Sequence, residues 1–299
     1  MTTRQTILIA GATGNIGGGA ALSLAKRGAG VVLLGRKPEK LQARADSIRT
    51  ALSKIGIESD IAALVVDFSD MESVRIAAAE ALDRFPVIDG LVLSAVALVQ
   101  HGPNILPNGH ELMFATNVMG PFLFTQLLIE RMQQSDGLVL HVIAPFYEEI
   151  DWDDLESIKN HKTEQAYNRT KTIDRAIAAE LARRCAGKIS SVAFDPGFII
   201  DKSDPDLHKR WPTGFMGFFW RVMTILFAKP PEVAGEPIAG LMLSYQDRSE
   251  LNGALFKLNK RVEEPDKAMN DEVLGKRLWE RLVRLTDLAP ESSPRATRL

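Results

Sequence analysis

The feature that most limits what this chain can fold into is an alternation carried along most of its length. A short, apolar, β-branched run is followed by a longer stretch with helical periodicity, and the pair then repeats. The runs are Thr6–Ala10 (TILIA), Val31–Leu34 (VVLL), Ile61–Val66 (IAALVV), Gly90–Ser94 (GLVLS), Leu138–Ile143 (LVLHVI), Ile189–Phe194 (ISSVAF) and Gly253–Asn259 (GALFKLN). Helical patterns follow the early runs from about Gly17 to Gly28, from Pro38 to about Lys54, and from the Ser69-Asp70 N-cap pair to Phe85. Proline at a first helical turn and Ser or Asp at an N-cap are the expected start signals. Because the runs are continuously apolar, both sheet faces must be covered by helices. The pattern predicts an α/β fold: a doubly wound, mostly parallel, seven-stranded sheet flanked by helices.

One domain over residues 1–288 accommodates all of this within a chain of 299 residues, 45% of them apolar. The tail 289–299 (PESSPRATRL after Ala289) is expected to be disordered. Lysine plus arginine number 36 and aspartate plus glutamate 38, which leaves no basic excess to hold a nucleic acid. The single cysteine, Cys185, excludes an intramolecular disulfide and any cysteine-built metal cluster. The N-terminus lacks the long apolar stretch of a secretory signal, so a cytoplasmic protein is expected. Phe215–Ala228 (FMGFFWRVMTILFA) is apolar but too short to span a bilayer and contains Arg221. We take it, within a segment of about 203–228, as a lid over an apolar pocket, with membrane-surface contact as the lesser alternative and no transmembrane segment. Trp211 and Trp220 in that lid favour a lipophilic or aromatic small molecule.

Gly11-Ala12-Thr13-Gly14-Asn15-Ile16-Gly17 joins the first strand to the first helix. Glycines there permit a tight turn and bring backbone N–H groups to a pyrophosphate, whose charge a helix N-terminus favours. This strand–turn–helix setting is that of a dinucleotide-binding Rossmann fold. The second strand ends Gly35-Arg36-Lys37, two cations where a carboxylate would bind a ribose 2′-hydroxyl. Cations there suit a 2′-phosphate, so NADP(H) is preferred and NAD(H) remains possible. Asp67 and Phe68 end the third strand, where they could hold an adenine amine and cover its ring. The alternative for Asp67 is to cap the next helix.

Tyr167 and Lys171 lie four apart at the start of a long amphipathic helical pattern, so they share a face. An ammonium beside a phenol, whose ordinary pKa is about 10, favours proton exchange with a hydroxyl or carbonyl. Asn117 precedes Gly120-Pro121. Proline four residues on has no N–H to return to the Asn117 carbonyl, leaving that oxygen for a water that relays protons to Lys171. The alternative is a helix kink in which Asn117 makes a local hydrogen bond.

Together these residues resemble the short-chain dehydrogenase/reductase family. The glycine loop, Asp67, Asn117-Val118, Tyr167-xxx-Lys171 and Pro196-Gly197 stand in that family's order and spacing. The nearer resemblance is to its retinol-dehydrogenase-like branch. It rests on Leu34-Gly35-Arg36, the Ile150-Asp151-Trp152-Asp153-Asp154-Leu155 insertion, Phe219-Trp220-Arg221 leading to Phe227-Ala228-Lys229, and Leu278-Trp279-Glu280. The resemblance covers about residues 6 to 288. It implies reversible hydride transfer between NADP(H) and an alcohol or carbonyl, with Tyr167 as acid/base. Lys171 would bind the nicotinamide ribose and tune Tyr167, Asn117 would maintain the water relay, and Ser94, Ala95, Pro196 and Gly197 would line the cofactor. It also implies a homo-oligomer, dimer or tetramer, with the helices near 111–132 and 166–186 as interfaces.

The chain departs from the family pattern at three places. Asn15 stands where glycine is usual, and the loop is like that of extended and atypical members. The fourth strand ends Leu93-Ser94-Ala95-Val96 in place of Asn-Asn-Ala-Gly. The fifth strand ends Ile143-Ala144 where two serines are usual, one of which donates to the reacting oxygen. Losing such a donor typically costs about 10²–10³ in rate. Tyr147 and His161 are the nearby side chains with a replacement donor. The expectation is an oxidoreductase of low or unusual activity; the alternative is a dinucleotide-binding sensor or partner-binding subunit without turnover. The five histidines show no ligand spacing with a carboxylate, and no serine stands in a nucleophile elbow, so hydrolase chemistry is not supported.

Overall fold

The computed structural model describes residues 4–99, 102–202, 214–243, 248–264 and 266–288, with the side chains of 214–220 left aside. The tail beyond 288, Trp211 and the first part of the expected lid lie outside the described residues. In chain order the elements begin β1 (Thr6–Ala10), α1 (Asn15–Lys26), β2 (Gly30–Gly35), α2 (Pro38–Ser53), β3 (Ile61–Val65), α3 (Met71–Arg84) and β4 (Gly90–Leu93). The middle of the chain forms α4 (Leu112–Phe114), a π-turn over Ala115–Met119, α5 (Gly120–Gln133), β5 (Leu138–Val142), α6 (Thr163–Arg184) and β6 (Ser190–Asp195). Then come α7 (Gly214–Phe227), α8 (Glu232–Leu243), β7 (Leu255–Lys257), β8 (Lys260–Arg261), α9 (Lys267–Asn270) and α10 (Glu272–Leu285).

The strands form one sheet in the order β3-β2-β1-β4-β5-β6-β7-β8. All seven expected strands are present and parallel. An eighth, the two-residue β8, is added antiparallel to β7, which makes the sheet eight-stranded where the sequence predicts seven. Lys260 and Arg261 are both exposed, so β8 has no apolar pattern by which a sequence would reveal it. The strand order reverses between the parallel β1 and β4, and the crevice beyond their C-terminal ends is where ligands bind in such sheets.

Each sheet face has its own apolar core. Leu8, Leu91 and Val139 face α3, α5, α6 and α10, while Ile7, Ile9 and Leu140 face α1, α2 and α8. The stretch Leu112–Gln133 is the one described helix apolar and long enough to cross a membrane, and 89% of its most apolar window is buried inside the fold. Here it is a core helix. Across α5 and α6 lies α10, with Leu278, Trp279 and Leu282 buried against Phe122, Ile177 and Leu181. The Trp279 and Phe122 rings meet edge to face at 5.0 Å, and the Arg184 guanidinium stacks 4.8 Å over Trp279. α10 thus packs on α6 and, through Trp279, on Phe122 of α5.

Candidate active site

The turn after β1 is built as a cradle. Gly11 has φ +77°, and a Cβ there would lie 2.7 Å from the backbone of Ala95. A Cβ on Gly17 would lie 2.5 Å from the Gly11 carbonyl oxygen. Only glycine admits that approach. The amides of Gly11 and Ala12 donate to the Leu34 carbonyl (3.1 and 3.3 Å), and Gly14 N–H donates to Gly11 O at 2.9 Å. Helix α1 begins at Asn15, two residues before the expected Gly17, so Asn15 and Ile16 belong to its first turn. Its N-cap is Gly14, and no side chain caps the helix, nor is any acidic residue present in the first turn. Opening N–H groups without a side-chain acceptor suit an anionic ligand, so the loop fits a dinucleotide pyrophosphate. Ser94 closes the wall, its Oγ donating to Ala10 O at 2.5 Å.

Arg36 and Lys37 are exposed at the end of β2, where the sequence places them. A further cation, which sequence analysis did not single out, lies beside the glycine loop. Arg44 of α2 donates to Thr13 O at 3.4 Å and packs so closely over Gly18 that a Cβ there would meet it at 2.9 Å. It lies one position from the buried Ala45 and three from the buried Leu41. That spacing on α2 was the available signal. Arg44, Asn15, Gly18 and Lys202 line an open cavity of about 450 Å³ beside the loop.

Asp67 takes its alternative role in part. Its Oδ1 accepts from the Ser69 amide (2.9 Å) and hydroxyl (2.7 Å), fixing the turn before α3, while Asp70 is the N-cap and accepts from Glu72 N–H. Phe68 does not cover an adenine ring in this structure. It is 3% exposed and lies edge to face with Phe124 at 5.7 Å in the core. An apolar ring at a strand end gains more from full burial than from a rim position. At the far side, Gly197 has φ +70° and donates its amide to Asp195 Oδ1 at 2.8 Å, holding the Pro196-Gly197 turn beyond β6.

Tyr167 and Lys171 share a face of α6 as predicted. Tyr167 packs half-buried against Val99, Met113 and Ala166. Lys171 is buried, and its Nζ donates to Asp174 Oδ2 at 2.8 Å and to the Val142 carbonyl at 3.2 Å. Burial works against the Lys171 charge, but Asp174 and the Tyr167 phenol outweigh it, so the lysine is held above its ordinary pKa as an ammonium. Burial pushes the Asp174 carboxyl up, with Lys171 and Arg175 opposing in part, so Asp174 is the member of the pair that protonates as pH falls. Asp174 is a site residue that sequence analysis missed. Its position three after Lys171 on one helix was the signal.

Beneath the pair is a small internal cavity of about 20 Å³ between β5, α5, α6 and α10. His141 lines it and is pushed down to about pH 3 by burial, reinforced by Lys171, so its imidazole is neutral. His141 Nε2 and Gln126 Oε1, both buried, have no hydrogen-bond partner there.

Asn117 makes the local contacts of its alternative reading, and more. Its Oδ1 accepts from Ala97 N–H at 2.7 Å, and its Nδ2 donates to Ala97 O (3.1 Å) and Thr170 Oγ1 (3.3 Å). The side chain therefore ties the loop after β4 to α6, close to Tyr167. The helix does not break at Gly120-Pro121; it widens into the π-turn over 115–119, in which Gly120 N–H reaches the Ala115 carbonyl. Single π-turns recur at functional sites.

The fifth strand shows what stands in the serine positions. Ile143 is 4% exposed and packs into an apolar cluster with Ala178, Ala179, Ala193 and Met269. Ala144, at the strand end, is outside that cluster. The insertion that follows is folded down on α6: Arg169 donates to the carbonyls of Glu149 (3.2 Å) and Asp154 (3.0 Å), and Thr172 Oγ1 accepts from Glu148 N–H at 2.9 Å. Asp154 in turn accepts from the amides of Ile158, Lys159 and Asn160. Of the two candidate substitutes, His161 keeps a buried Nε2 without a hydrogen-bond partner among the described residues. The Tyr147 ring carries the Lys267 ammonium 4.3 Å above it, and His161 has Nδ1 3.1 Å from the Ser157 carbonyl with Nε2 beside Gly102.

Comparison with known proteins gives the following. The family model for short chain dehydrogenase matches residues 5–145. Retinol dehydrogenase 13 of Mus musculus is 30% identical over 95% of this chain and 84% of its own length. Retinol dehydrogenase 14 of Homo sapiens is 28% identical over 92% of this chain and 84% of its own. Among solved structures, a 3-oxoacyl (acyl-carrier-protein) reductase from Agrobacterium tumefaciens C58 with NADP bound superposes with a TM-score of 0.65 at 22% identity, covering 85% of this chain and 92% of that one.

Proposed function

Since this chain belongs to the short-chain dehydrogenase/reductase family, in its retinol-dehydrogenase-like branch, and is an oxidoreductase of CH–OH or C=O groups, we propose that it transfers hydride between NADP(H) and a lipophilic carbonyl or alcohol. The observation that carries the proposal is the meeting of two devices at the β1/β4 crevice. The glycine cradle stands on one side, and Tyr167, Lys171 and Asn117 stand on the other. A bound nicotinamide dinucleotide supplies or accepts the hydride. The chain's own residues do the rest. The uncapped start of α1 receives the pyrophosphate, and the exposed Arg36 and Lys37 at the end of β2 would meet a 2′-phosphate, which favours NADP(H) over NAD(H).

Tyr167 Oη gives its proton to the carbonyl oxygen in reduction and takes it back in oxidation. Lys171 binds the ribose and supports that exchange, and Asn117 fixes the loop that bounds the pocket. Exposed Val96, Leu98 and Phe146 beside this region, with Ile225, Leu226 and Phe227 of α7, favour an apolar substrate.

A second reading, dinucleotide binding without turnover, is favoured by one feature: Ile143 and Ala144 carry no hydroxyl where the resemblance implies serine. The deciding experiment is NADPH consumption across aldehydes, ketones and quinones. Turnover of any of them supports the oxidoreductase with this cofactor. Tight NADPH binding with no turnover across the panel supports the second reading.

A further inference from the structure

We propose that Asp174 is a positioning residue that restrains Lys171, so that the nicotinamide ribose must compete with a buried carboxylate for the lysine. The inference rests on the dinucleotide-binding role proposed above.

An ammonium has three N–H donors and no acceptor. In Lys171 one donor goes to Asp174 Oδ2 at 2.8 Å and a second to the Val142 carbonyl at 3.2 Å. Both partners lie on the inner side of α6, toward β5 and the small cavity. One donor is left for everything on the outer side, where the ribose and Tyr167 would both require it.

The hold is strong because the pair is dry. The two side chains are 7% and 15% exposed, so water competes weakly for either. The charged and titratable groups around the pair are few. On α6, Arg175 favours the Asp174 carboxylate, although its own guanidinium is bound to Asp266 (2.9 Å) and the Phe146 carbonyl (2.6 Å). Tyr167 acts on Lys171 from the outer side. From β5 comes the neutral His141. From α5, α10 and β4 the described cavity lining is apolar or uncharged: Gln126 and Asn117, Trp279 and Leu282, Leu93 and Ala95. No second cation shares Asp174 on that side among the described residues.

A merely structural salt bridge and a restraint give opposite signs on weakening. Replacing the carboxylate by the isosteric amide keeps the shape and one acceptor while removing the charge, and charge-assisted hydrogen bonds are roughly twice as strong as neutral ones. Removing the carboxylate also removes what holds Lys171 as an ammonium against burial, so the titration is run at a pH low enough to keep the lysine protonated in both proteins. There a restraint predicts that Asp174→Asn binds NADPH more tightly, by about three- to tenfold, because the ammonium is released toward the ribose. A structural role predicts equal or weaker binding. The test is fluorescence titration of NADPH into the purified full chain, with circular dichroism confirming the fold of each variant. The gain must disappear in a Lys171→Met background, where Asp174→Asn has no ammonium to release. Tighter binding that depends on Lys171 supports the inference. Unchanged or weaker binding, or a gain that persists without Lys171, overturns it. If Asp174→Asn does not fold, Asp174→Glu moves the carboxylate by one methylene with its charge retained. A Lys171-dependent gain in NADPH affinity of more than about threefold then supports the restraint, and unchanged or weaker binding overturns it. Absence of NADPH and NADH binding by the unmodified chain would instead overturn the dinucleotide reading itself.

Discussion

Two substitutions at adjacent residues of the fifth strand are expected to have opposite effects, although the family resemblance treats both positions as vacated serines. Ile143 is packed among Ala178, Ala179, Ala193 and Met269. Ile143→Ser removes about three buried carbon groups, at about 0.8 kcal/mol each. It also leaves a hydroxyl in an apolar cluster, at a further cost of about 1–3 kcal/mol. The sum is roughly 3–5 kcal/mol of stability with no gain in rate. Ala144→Ser adds one oxygen at a strand end that borders this cluster without entering it. Its stability cost is expected to stay below about 1 kcal/mol, and kcat to rise about 10²–10³-fold with little change in KM if a donor to the reacting oxygen is all that is missing. Urea unfolding midpoints and steady-state kinetics on one turned-over carbonyl separate the two. An Ile143→Ser protein with the parental midpoint and a raised kcat would refute the placement of these side chains. An Ala144→Ser protein that binds NADPH and gains nothing would refute the single-donor argument and strengthen the reading without turnover.

Tyr167→Phe is expected to abolish turnover while leaving NADPH affinity within about twofold, since only the proton donor is removed; substrate reduction at the parental rate would show another proton route. Arg36→Ala is expected to weaken NADPH binding by roughly tenfold and to spare NADH, and equal affinity of the parent for both cofactors by titration would contradict the assignment. His141 is neutral in the folded state down to about pH 3, against an ordinary value of 6.5 in the unfolded chain. Its contribution to stability is present above that ordinary value and is lost as pH falls toward the folded one, by about 1.4 kcal/mol per unit. Urea melts between pH 7 and pH 4 are expected to show His141→Leu losing less stability than the parent over this range.

The strand runs were legible because parallel strands covered on both faces are written as unbroken apolar residues, and the seven of them are where the sequence puts them. The helix starts at Pro38 and Asp70 were legible for a similar local reason. β8 was not, because Lys260 and Arg261 pair by backbone alone. In the site, the spacing of Tyr167 and Lys171 fixed their common face. The partner that Lys171 takes inside the fold depends on how deeply α6 sits against β5, and spacing is silent on depth. Asp174 was missed for that reason, and Arg44 because its contacts with Thr13 and Gly18 are made across the fold from α2. Phe68 was misplaced because a strand end offers both a rim and a core, and the choice was made by Phe124, a residue 56 positions away in sequence.

Helix α10 also sets an order of events during synthesis. A ribosome releases the glycine cradle early and α10 late, and domains assemble from the N-terminal side as the chain emerges. The cradle takes its walls from β1, β2, β4 and α1, but α1 packs in turn on α8, where Gly19 and Gly235 let the two helices touch. The segment bearing Tyr167 and Lys171 has its apolar side sealed by Trp279, Leu278 and Leu282, which follow it by about a hundred residues. A growing chain therefore leaves both halves waiting on late segments, α8 for the nucleotide-facing half and α10 for the half that moves the proton. Docking of α10, with Trp279 against Phe122, completes the support of the proton-transfer half in a single event.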